Sequence, residues 1–145
     1  MARTSEEMIE RLEAMGHRLT EPRRQLIYLL ASRRSHFTAD ELWQESRRQG
    51  LSTGRATVFR TLELLTQAGL LDRIHAEDGS RRYAVCAAGH HHHFVCTACG
   101  AVVALSGCGL GPQLQALSRE FNFQVEGHHL ELYGRCERCR QDVTA

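Results

Sequence analysis

Residues 52–85, STGRATVFRTLELLTQAGLLDRIHAEDGSRRYAV, join a helical pattern directly to a hairpin pattern. Apolar residues recur at helical spacing in the first part, and they predict a helix capped by Ser52 or Thr53 and ended by Gly69. After Gly69 the period becomes extended, and two short strands flank an Asp-Gly turn. The stretch therefore predicts a helix followed by a two-stranded hairpin.

Three further helices are predicted upstream of this stretch. The first begins at Thr4 or Ser5, and the second has Pro22 in its first turn. The third carries a capping box formed by Thr38 and Glu41. Several short helices followed by a hairpin are typical of a winged helix, whose last helix before the hairpin enters the DNA major groove. The alternative is a small helical domain whose hairpin has no role in DNA binding.

The second half of the chain has a different pattern. Extended segments are predicted at HHHFVC, GAVVALS and FQVEGHHLELYGRC, and one helix is predicted to begin at Pro112. We therefore expect an α+β protein with a winged-helix domain in residues 1–84 and a small α/β domain in residues 85–145. The segment VCAAG is the predicted linker, with a hinge at about residues 84–90.

Length and composition narrow the classes of protein. The 145 residues suit one ordinary domain or two small ones. No apolar stretch is long enough to cross a bilayer, and the start MARTSEEMIERLEAMG lacks the apolar core of a signal peptide. The expected location is therefore the cytoplasm, with no membrane partner. A formal net charge of +1 argues neither for nor against nucleic acid.

Four of the six cysteines form two CxxC pairs, Cys96/Cys99 and Cys136/Cys139. In a reducing compartment this pattern favours metal over disulfide. Two CxxC turns supply four thiolates, and four thiolates make the tetrahedral sulfur site that zinc prefers. The alternatives are a redox dithiol and buried free thiols. We therefore predict a structural zinc that joins the beginning of the second half to its end.

Four consecutive histidines, residues 90–93, stand shortly before the first CxxC pair. Successive side chains of an extended strand point to opposite faces, so His91 and His93 share one face. His90 and His92 share the other face for the same reason. One run can therefore serve two different metal sites, and the alternative is an unstructured surface run.

Further candidate metal ligands for the face shared by His91 and His93 lie upstream in the sequence. Cys86 is unpaired and close in sequence. Asp72 and His75 lie three apart on one predicted strand, so they face opposite ways. Only one of these two residues is therefore expected to be a metal ligand.

Five segments, in their order and approximate spacing, resemble the ferric uptake regulator superfamily of metal-sensing repressors. They are RLTEPRRQLIYLL, SHFTADELW, GRATVFRTLELLTQAGLL, HHHHFVCTACG and HHLELYGRCERC. The resemblance spans nearly the whole chain. It implies an N-terminal winged helix, a C-terminal α/β dimerisation domain, and a homodimer that binds double-stranded DNA at palindromic operators. It also implies a regulator and not an enzyme, with no small-molecule substrate.

Within the superfamily the chain is most similar to the zinc-uptake regulators. Their regulatory zinc is held by an Asp, a Cys and two His, which correspond to Asp72, Cys86, His91 and His93. His75 is the weaker choice for the first position. Iron-type members usually carry an Asp where this chain has His92, and a thiolate with imidazoles favours zinc over manganese. The less favoured regulatory metals are iron and manganese, and the alternative function is an iron, manganese or peroxide sensor.

A further metal site of the superfamily uses the other face of the histidine run. It corresponds to His90, His92 and His128. The usual fourth ligand of that site is a Glu, but this chain has Gly111 at the position. The substitutes that the sequence offers are Cys108, His129 and water, and the alternative is that the site is absent.

One histidine of the first half also resembles a superfamily ligand. His36 corresponds to a ligand of the iron and peroxide sensors. The partner positions for that ligand hold Ala84 and Ala104 in this chain. We therefore expect His36 to have a structural role.

The resemblance also implies which residues contact DNA. In the helix before the hairpin they are Arg55, Thr57, Phe59 and Arg60. Phe59 replaces the usual Tyr, which removes a hydroxyl contact but leaves apolar contact with a thymine methyl. Arg18 corresponds to a position that reaches the minor groove, and Arg23 to one that touches phosphate. Trp43 is expected to pack in the core, as are Val58, Leu62 and Leu65.

A zinc hydrolase or deaminase is the main rival from another class, because catalytic zinc is also held by His and Cys. The sequence contains neither H-x-E followed by P-C-x-x-C nor H-E-x-x-H, which are the motifs of such enzymes. A third alternative is a structural zinc protein that does not bind DNA.

Overall fold

A computed structural model describes residues 3–75, 79–86 and 89–141, with the backbone alone described at His75. The described residues form two lobes. The N-terminal lobe, up to Cys86, has four helices and a hairpin, and the C-terminal lobe, from Gly89, has a three-stranded sheet and two helices. This order confirms the α+β class and the winged helix. No helix within the described ranges is long and apolar enough to span a membrane.

The first three helices begin where local signals place them. Helix α1 spans Ser5–Ala14, α2 spans Glu21–Ala31 and α3 spans Ala39–Arg48. The predicted proline lies in the first turn of α2. Capping boxes start α1 at Thr4 and α3 at Thr38, in which the threonine hydroxyl accepts from the N–H three residues later.

Helix α4, the last before the hairpin, spans Arg55–Gln67. Its N-cap is Gly54, so the predicted cap at Ser52 or Thr53 is wrong. The helix begins later than the local pattern predicts, so Ser52 and Thr53 both lie before the cap. The Thr53 hydroxyl is buried and has no hydrogen-bond partner among the described residues, while Ser52 is exposed. The predicted end at Gly69 is confirmed by the φ of +66° there, which suits glycine.

The core of the N-terminal lobe lies between the helices. The predicted positions Val58, Leu62 and Leu65 of α4 are fully buried against side chains of the other three helices. Trp43 of α3 is half-buried and packs against this core, as expected. Apolar burial of this kind is the main stabilising contribution to a small domain.

The hairpin is formed by β1, Leu71–His75, and β2, Arg81–Val85, paired antiparallel. Two hydrogen bonds between Phe37 and Tyr83, of 2.9 and 2.8 Å, attach it to the helices. Asp78 of the predicted Asp-Gly turn lies outside the described residues, as do residues 87–88 of the predicted linker.

The sheet of the C-terminal lobe has the order β4-β3-β5. Its strands are β3, His91–Cys96, β4, Val102–Ser106, and β5, Glu131–Gly134. Strand β4 runs antiparallel to β3, and β5 runs parallel to it. The expectation of a strand from residue 123 is wrong for residues 123–130, because β5 pairs with β3 only from Glu131 onward.

Two helices complete the C-terminal lobe. Helix α5 spans Gly111–Glu120, with the predicted Pro112 in its first turn, and α6 spans Glu137–Gln141. Helix α6 was not expected, because the second CxxC pair predicts only a turn there. Neither helix has a buried residue among those described.

The two lobes meet along an interlobe seam formed by residues 34–36 and 100–102. Ser35 and Ala101 form an antiparallel bridge. The N–H of His36 donates to the Gly100 carbonyl at 3.3 Å, and the N–H of Val102 donates to the carbonyl of residue 34 at 3.4 Å. The turn that carries the first CxxC pair is therefore in direct contact with the helical lobe.

Candidate metal centres and nucleic-acid interface

The four CxxC cysteines lie together and join the two ends of the C-terminal lobe. Cys96 ends β3 and Cys99 follows in a turn, while Cys136 precedes α6 and Cys139 lies within it. The Sγ atoms of Cys99 and Cys136 are 3.8 Å apart. Sulfurs bound to one zinc at about 2.3 Å in a tetrahedron are about 3.8 Å apart. The residues predicted to hold a structural zinc therefore fit that ion.

Backbone N–H groups favour thiolates in this cluster. The N–H of Cys136 donates to Sγ of Cys96 at 3.4 Å. This donor, together with the N–H of Cys99, lowers the pKa of the Cys96 thiol to about 6. The N–H of Ala101 lowers the pKa of Cys99 in the same way. A thiolate is the form of cysteine that coordinates a metal, so Cys96 and Cys99 are favoured as ligands. The hydrogen bond with Cys136 raises the pKa of Cys139 to about 12, so a bound cation has to displace the proton of that thiol.

A second cluster lies where the hairpin faces the sheet. Asp72 on β1, Cys86 after β2 and His91 on β3 place their ligand atoms within 4.8 Å of one another. Nδ1 of His91 lies 2.8 Å from the Gly89 carbonyl and must donate to it, because a carbonyl only accepts. In a neutral His91, Nε2 then carries a lone pair, and this nitrogen lies 2.7 Å from the Asp72 carboxylate. Two acceptors this close require a proton or a metal ion between them.

His93 faces the same cluster from β3. Its Nε2 lies 3.4 Å from Oδ2 of Asp72, and it is buried without a hydrogen-bond partner among the described residues. Burial lowers the pKa of His93, which favours the neutral imidazole that can coordinate a metal. Burial also raises the pKa of the Cys86 thiol, so a bound cation has to displace its proton. Asp72, Cys86 and His91 offer a metal one oxygen, one sulfur and one nitrogen, and the predicted ligand His93 lies beside this group of three and not within it.

Asp72 and His75 are the two residues of β1 that the sequence offered for this site. The structure brings Asp72 into the cluster. The side chain of His75 lies outside the described residues, so its expected position on the other face remains a prediction.

A third cluster lies on the opposite face of β3, in line with the expected alternation of the histidine run. It contains His90, His92 and His128, the last from the segment before β5. Of the substitutes offered for the fourth ligand, Cys108 joins the cluster, with its Sγ 3.2 Å from Nε2 of His128. His129 is exposed and belongs to none of the clusters found among the described residues. Sequence spacing alone does not show which of Cys108 and His129 joins this cluster. The fold of the loop after β4 decides it, because that loop brings Cys108 near His128.

His36 lies in the interlobe seam and in none of the metal clusters of the described residues. Its Nδ1 is 3.2 Å from Nη1 of Arg82, and Nδ1 must accept because a guanidinium only donates. Its ring lies against Gly100, where an added Cβ would be 3.0 Å from the ring. These contacts fit the structural role expected of His36.

The exposed side of α4 carries the residues expected to contact DNA. They are Arg55, Thr57, Phe59 and Arg60, of which Thr57 is half-buried. The Arg55 guanidinium lies 5.8 Å from the centre of the Phe59 ring and 5.9 Å from that of Trp43. It also lies 2.7 Å from the Asp40 carboxylate. Cation–π contacts and the ion pair thus hold Arg55 in place at the first turn of α4.

The other two predicted DNA contacts lie at the start of α2. Arg18 is exposed in the segment before the helix, and Arg23 is half-buried in its first turn. Nη1 of Arg23 donates to the Arg18 carbonyl at 3.3 Å. Both residues therefore belong to one short surface of the N-terminal lobe.

Comparison with known proteins gives a consistent result. Residues 14–133 match the sequence model of the ferric uptake regulator family. The chain is 33% identical over 139 residues to the ferric uptake regulation protein of Bacillus subtilis, covering 93% of each chain. It is 33% identical over 129 residues to the zinc uptake regulation protein of Mycobacterium tuberculosis, covering 89% of this chain and 99% of that one.

A solved structure shows the same likeness. The fold is similar to that of the ferric uptake regulator of Vibrio cholerae, with a TM-score of 0.66 and 31% identity. The match covers 88% of this chain and 98% of that one. Sequence relatives named for iron and for zinc are equally identical to this chain, so their names do not distinguish the two metals.

Proposed function

Since the chain belongs to the ferric uptake regulator family, and is a metal-responsive transcription regulator rather than an enzyme, we propose that its regulatory metal is zinc. In this proposal the zinc-loaded homodimer represses metal-uptake genes by binding palindromic operators. Loss of zinc releases the DNA and allows expression. The alternative is a response to iron, manganese or peroxide.

The observation that carries the zinc assignment is the Cys86 thiol at the second cluster. It lies with Asp72 and His91 within coordination range, and His93 is next to them. Zinc accepts thiolate and imidazole ligands in four-coordinate sites, whereas manganese prefers oxygen. Cys86 is therefore the residue that we propose selects zinc.

This proposed regulatory site spans the junction between the lobes. Asp72 belongs to the hairpin, whereas His91 and His93 belong to the sheet. A metal held by both would fix the hairpin, and α4 with it, relative to the C-terminal lobe. In a homodimer this angle sets the separation of the two α4 helices, which must match half-sites ~34–36 Å apart. Zinc and operator then strengthen each other's binding by about 1–3 kcal/mol.

The proposed DNA contacts follow from the surface around α4. Arg55 and Arg60 are proposed to contact bases or phosphate, and Phe59 to contact a thymine methyl. Thr57 lies on the same helix. Arg18 is proposed to reach the minor groove and Arg23 to contact phosphate.

The exposed apolar side chains of the C-terminal lobe support the homodimer. The most exposed are Val103, Phe121 and Phe123, at 57%, 68% and 70% of their full accessible area. Apolar surface of this kind on a small lobe marks an interaction site, and a second copy would cover it. We therefore propose residues 85–145 as the dimerisation domain, residues 1–84 as the DNA-binding domain, and about 84–90 as the hinge.

The experiment that tests the proposal is operator binding measured against metal concentration. The operator is a duplex selected for binding to the zinc-loaded protein, and zinc, iron(II) and manganese(II) are titrated separately without oxygen. We expect zinc to promote binding at the lowest free concentration. Cys86→Ser should weaken this zinc response by about tenfold or more, which is 1.4 kcal/mol.

The matched control is His129→Ala, which removes a histidine outside the described clusters and should leave the response unchanged. An undiminished zinc response in Cys86→Ser would show that the regulatory site is elsewhere. A stronger response of the unaltered protein to iron or manganese would support the alternative sensor. Equal DNA affinity under all metals would contradict metal-responsive regulation.

A further inference from the structure

Three imidazole nitrogens meet in the third cluster, which the proposed function does not use. Nε2 of His90 lies 3.2 Å from Nε2 of His92 and 3.2 Å from Nε2 of His128. The third side of this triangle, between His92 and His128, is also 3.2 Å. Sγ of Cys108 lies 3.2 Å from Nε2 of His128. All four ligand atoms are within 4.8 Å of one another.

Hydrogen bonds cannot satisfy this triangle of nitrogens. The Nε2 of a neutral imidazole carries either a hydrogen or a lone pair. Among three nitrogens in mutual contact at least two are of the same kind, so at least one contact lacks a shared proton. His92 is only 3% exposed, so solvent cannot supply the missing partner for its nitrogen. A cation at the centre removes the mismatch, since all the lone pairs can then point at it.

The spacing is also that of a tetrahedral metal site. Imidazole nitrogens bound to one zinc at ~2.0–2.1 Å in a tetrahedron are about 3.3 Å apart. The observed 3.2 Å agrees with this separation. Three imidazoles and one thiolate supply four ligands, so no water is needed to complete the coordination.

We propose that Cys108 completes a second zinc-selective site with His90, His92 and His128. The superfamily resemblance predicts a Glu ligand at position 111, where this chain has glycine at the start of α5. A thiolate in place of that carboxylate changes the donor set from one that accepts manganese or iron to one that favours zinc. The inference stands on the geometry of these ligands and does not require the proposed operator binding.

The site would anchor parts of the C-terminal lobe that have little packing of their own. Cys108 lies just before α5, which has no buried residue, and His128 lies in the segment of residues 123–130, which forms no strand. A metal bound to Cys108 and His128 would tie both segments to the start of β3. Because His91 of the regulatory site lies between His90 and His92 in sequence, at the start of β3, zinc here would also order the regulatory ligands.

The first test counts zinc per chain by native mass spectrometry at a buffered free zinc concentration that saturates the protein. We expect three zinc ions in the unaltered chain and two in Cys108→Ser and in His128→Ala. His129→Ala is the matched control and should keep three. The same zinc count and the same affinity in the unaltered chain, Cys108→Ser and His128→Ala would overturn the proposal, whether or not the regulatory site holds zinc. Circular dichroism confirms that the variants remain folded.

The second test identifies the sulfur ligand with cobalt(II). In Cys86→Ser, with zinc kept in the four-cysteine cluster, the one remaining thiolate available to cobalt is that of Cys108. We expect a thiolate-to-cobalt charge-transfer band in Cys86→Ser and its loss in Cys86→Ser/Cys108→Ser. A band that persists in the double variant, or is absent from the single one, contradicts the ligand assignment.

A third variant tests metal selectivity. Cys108→Glu replaces the thiolate by a carboxylate, the kind of ligand that the superfamily resemblance implies for this site, and it should shift the preference of this site from zinc toward manganese by about tenfold or more. Unchanged preference would show that Cys108 does not set selectivity. None of these measurements involves DNA, so failure of this site and failure of the proposed function are distinguishable.

Discussion

The two lobes of this protein differ in what stabilises them. In the N-terminal lobe, the capped helices completely bury apolar side chains such as Leu30, Leu42 and Leu62. In the described part of the C-terminal lobe only four side chains are buried, and three of them can bind metal. These residues are His92, His93, Val95 and Cys96. The N-terminal lobe therefore has a hydrophobic core, whereas the buried residues described in the C-terminal lobe are mostly side chains able to bind metal.

The difference has a physical cause. A lobe of about fifty residues buries too little apolar area to offset the loss of chain entropy by itself. Metal coordination and a second copy of the chain are the two remaining sources of stabilisation that its residues offer. We therefore expect the C-terminal lobe to depend on metal, and the N-terminal lobe, whose helical core contains no metal ligand, to keep its shape without it. Under the proposed function, metal concentration would then alter the arrangement of the lobes without unfolding the surface around α4.

The largest effect is expected from removing the four-cysteine site. Cys96→Ser should abolish tight zinc binding there, and structural zinc contributes on the order of 10 kcal/mol to the folding of small zinc domains. Hydrogen exchange should show the amides of β3, β4 and β5 losing protection. The amides of α2 and α4 should keep theirs, because the core around them contains no metal ligand. Simultaneous loss of protection in both lobes would contradict their independence.

A core substitution in the N-terminal lobe should have the converse effect. Leu62→Ala removes a fully buried side chain of α4 and should lower the free energy of unfolding of that lobe by about 2–5 kcal/mol. Denaturant unfolding followed by the fluorescence of Trp43 measures this, since it is the single tryptophan of the chain. Zinc bound per chain should stay the same. Loss of zinc in this variant would show that the C-terminal lobe relies on the helical core.

The proposed dimer contact should respond to a smaller change. Phe123→Ser replaces an apolar side chain that is 70% exposed in the single chain, so the folded monomer should be little affected. The dimer dissociation constant should rise by about tenfold, which is 1.4 kcal/mol, if a second copy covers this residue. Sedimentation velocity measures the monomer fraction. Met15→Ser, at an exposed apolar residue of the N-terminal lobe, is the control and should leave the dimer intact.

The features that the sequence predicted are those fixed by short spacings. The N-cap at Thr4, the capping box at Thr38, the hairpin after Gly69, and the alternation of the histidine run all depend on residues within a few positions of one another. Such local signals act before any tertiary contact forms. The two CxxC pairs belong with them, because each pair is defined by its own turn.

The features that the sequence did not predict depend on contacts between distant segments. Cys108 reaches the third cluster only because the loop after β4 folds back over β3, twenty residues from His128 in sequence. The interlobe seam pairs residues 34–36 with 100–102, and no local pattern indicates that pairing. The strand expected from residue 123 is shorter because parallel pairing with β3 begins only at Glu131.

The smallest expected effect concerns the N-caps of α3 and α4. The predicted side-chain cap of α3 is present at Thr38, whereas the predicted cap of α4 at Ser52 or Thr53 is absent. Thr38→Ala removes the hydroxyl that accepts from the Glu41 N–H, and it should lower the free energy of unfolding of the N-terminal lobe by about 1 kcal/mol. Ser52→Ala should change it by less than about 0.5 kcal/mol, because the N-cap of α4 is Gly54 and no side chain caps that helix. Both variants are compared with the unaltered protein by denaturant unfolding at saturating zinc. A loss of stability in Ser52→Ala as large as that in Thr38→Ala would contradict this assignment. It would mean that Ser52 caps α4 in solution, as the sequence pattern predicts.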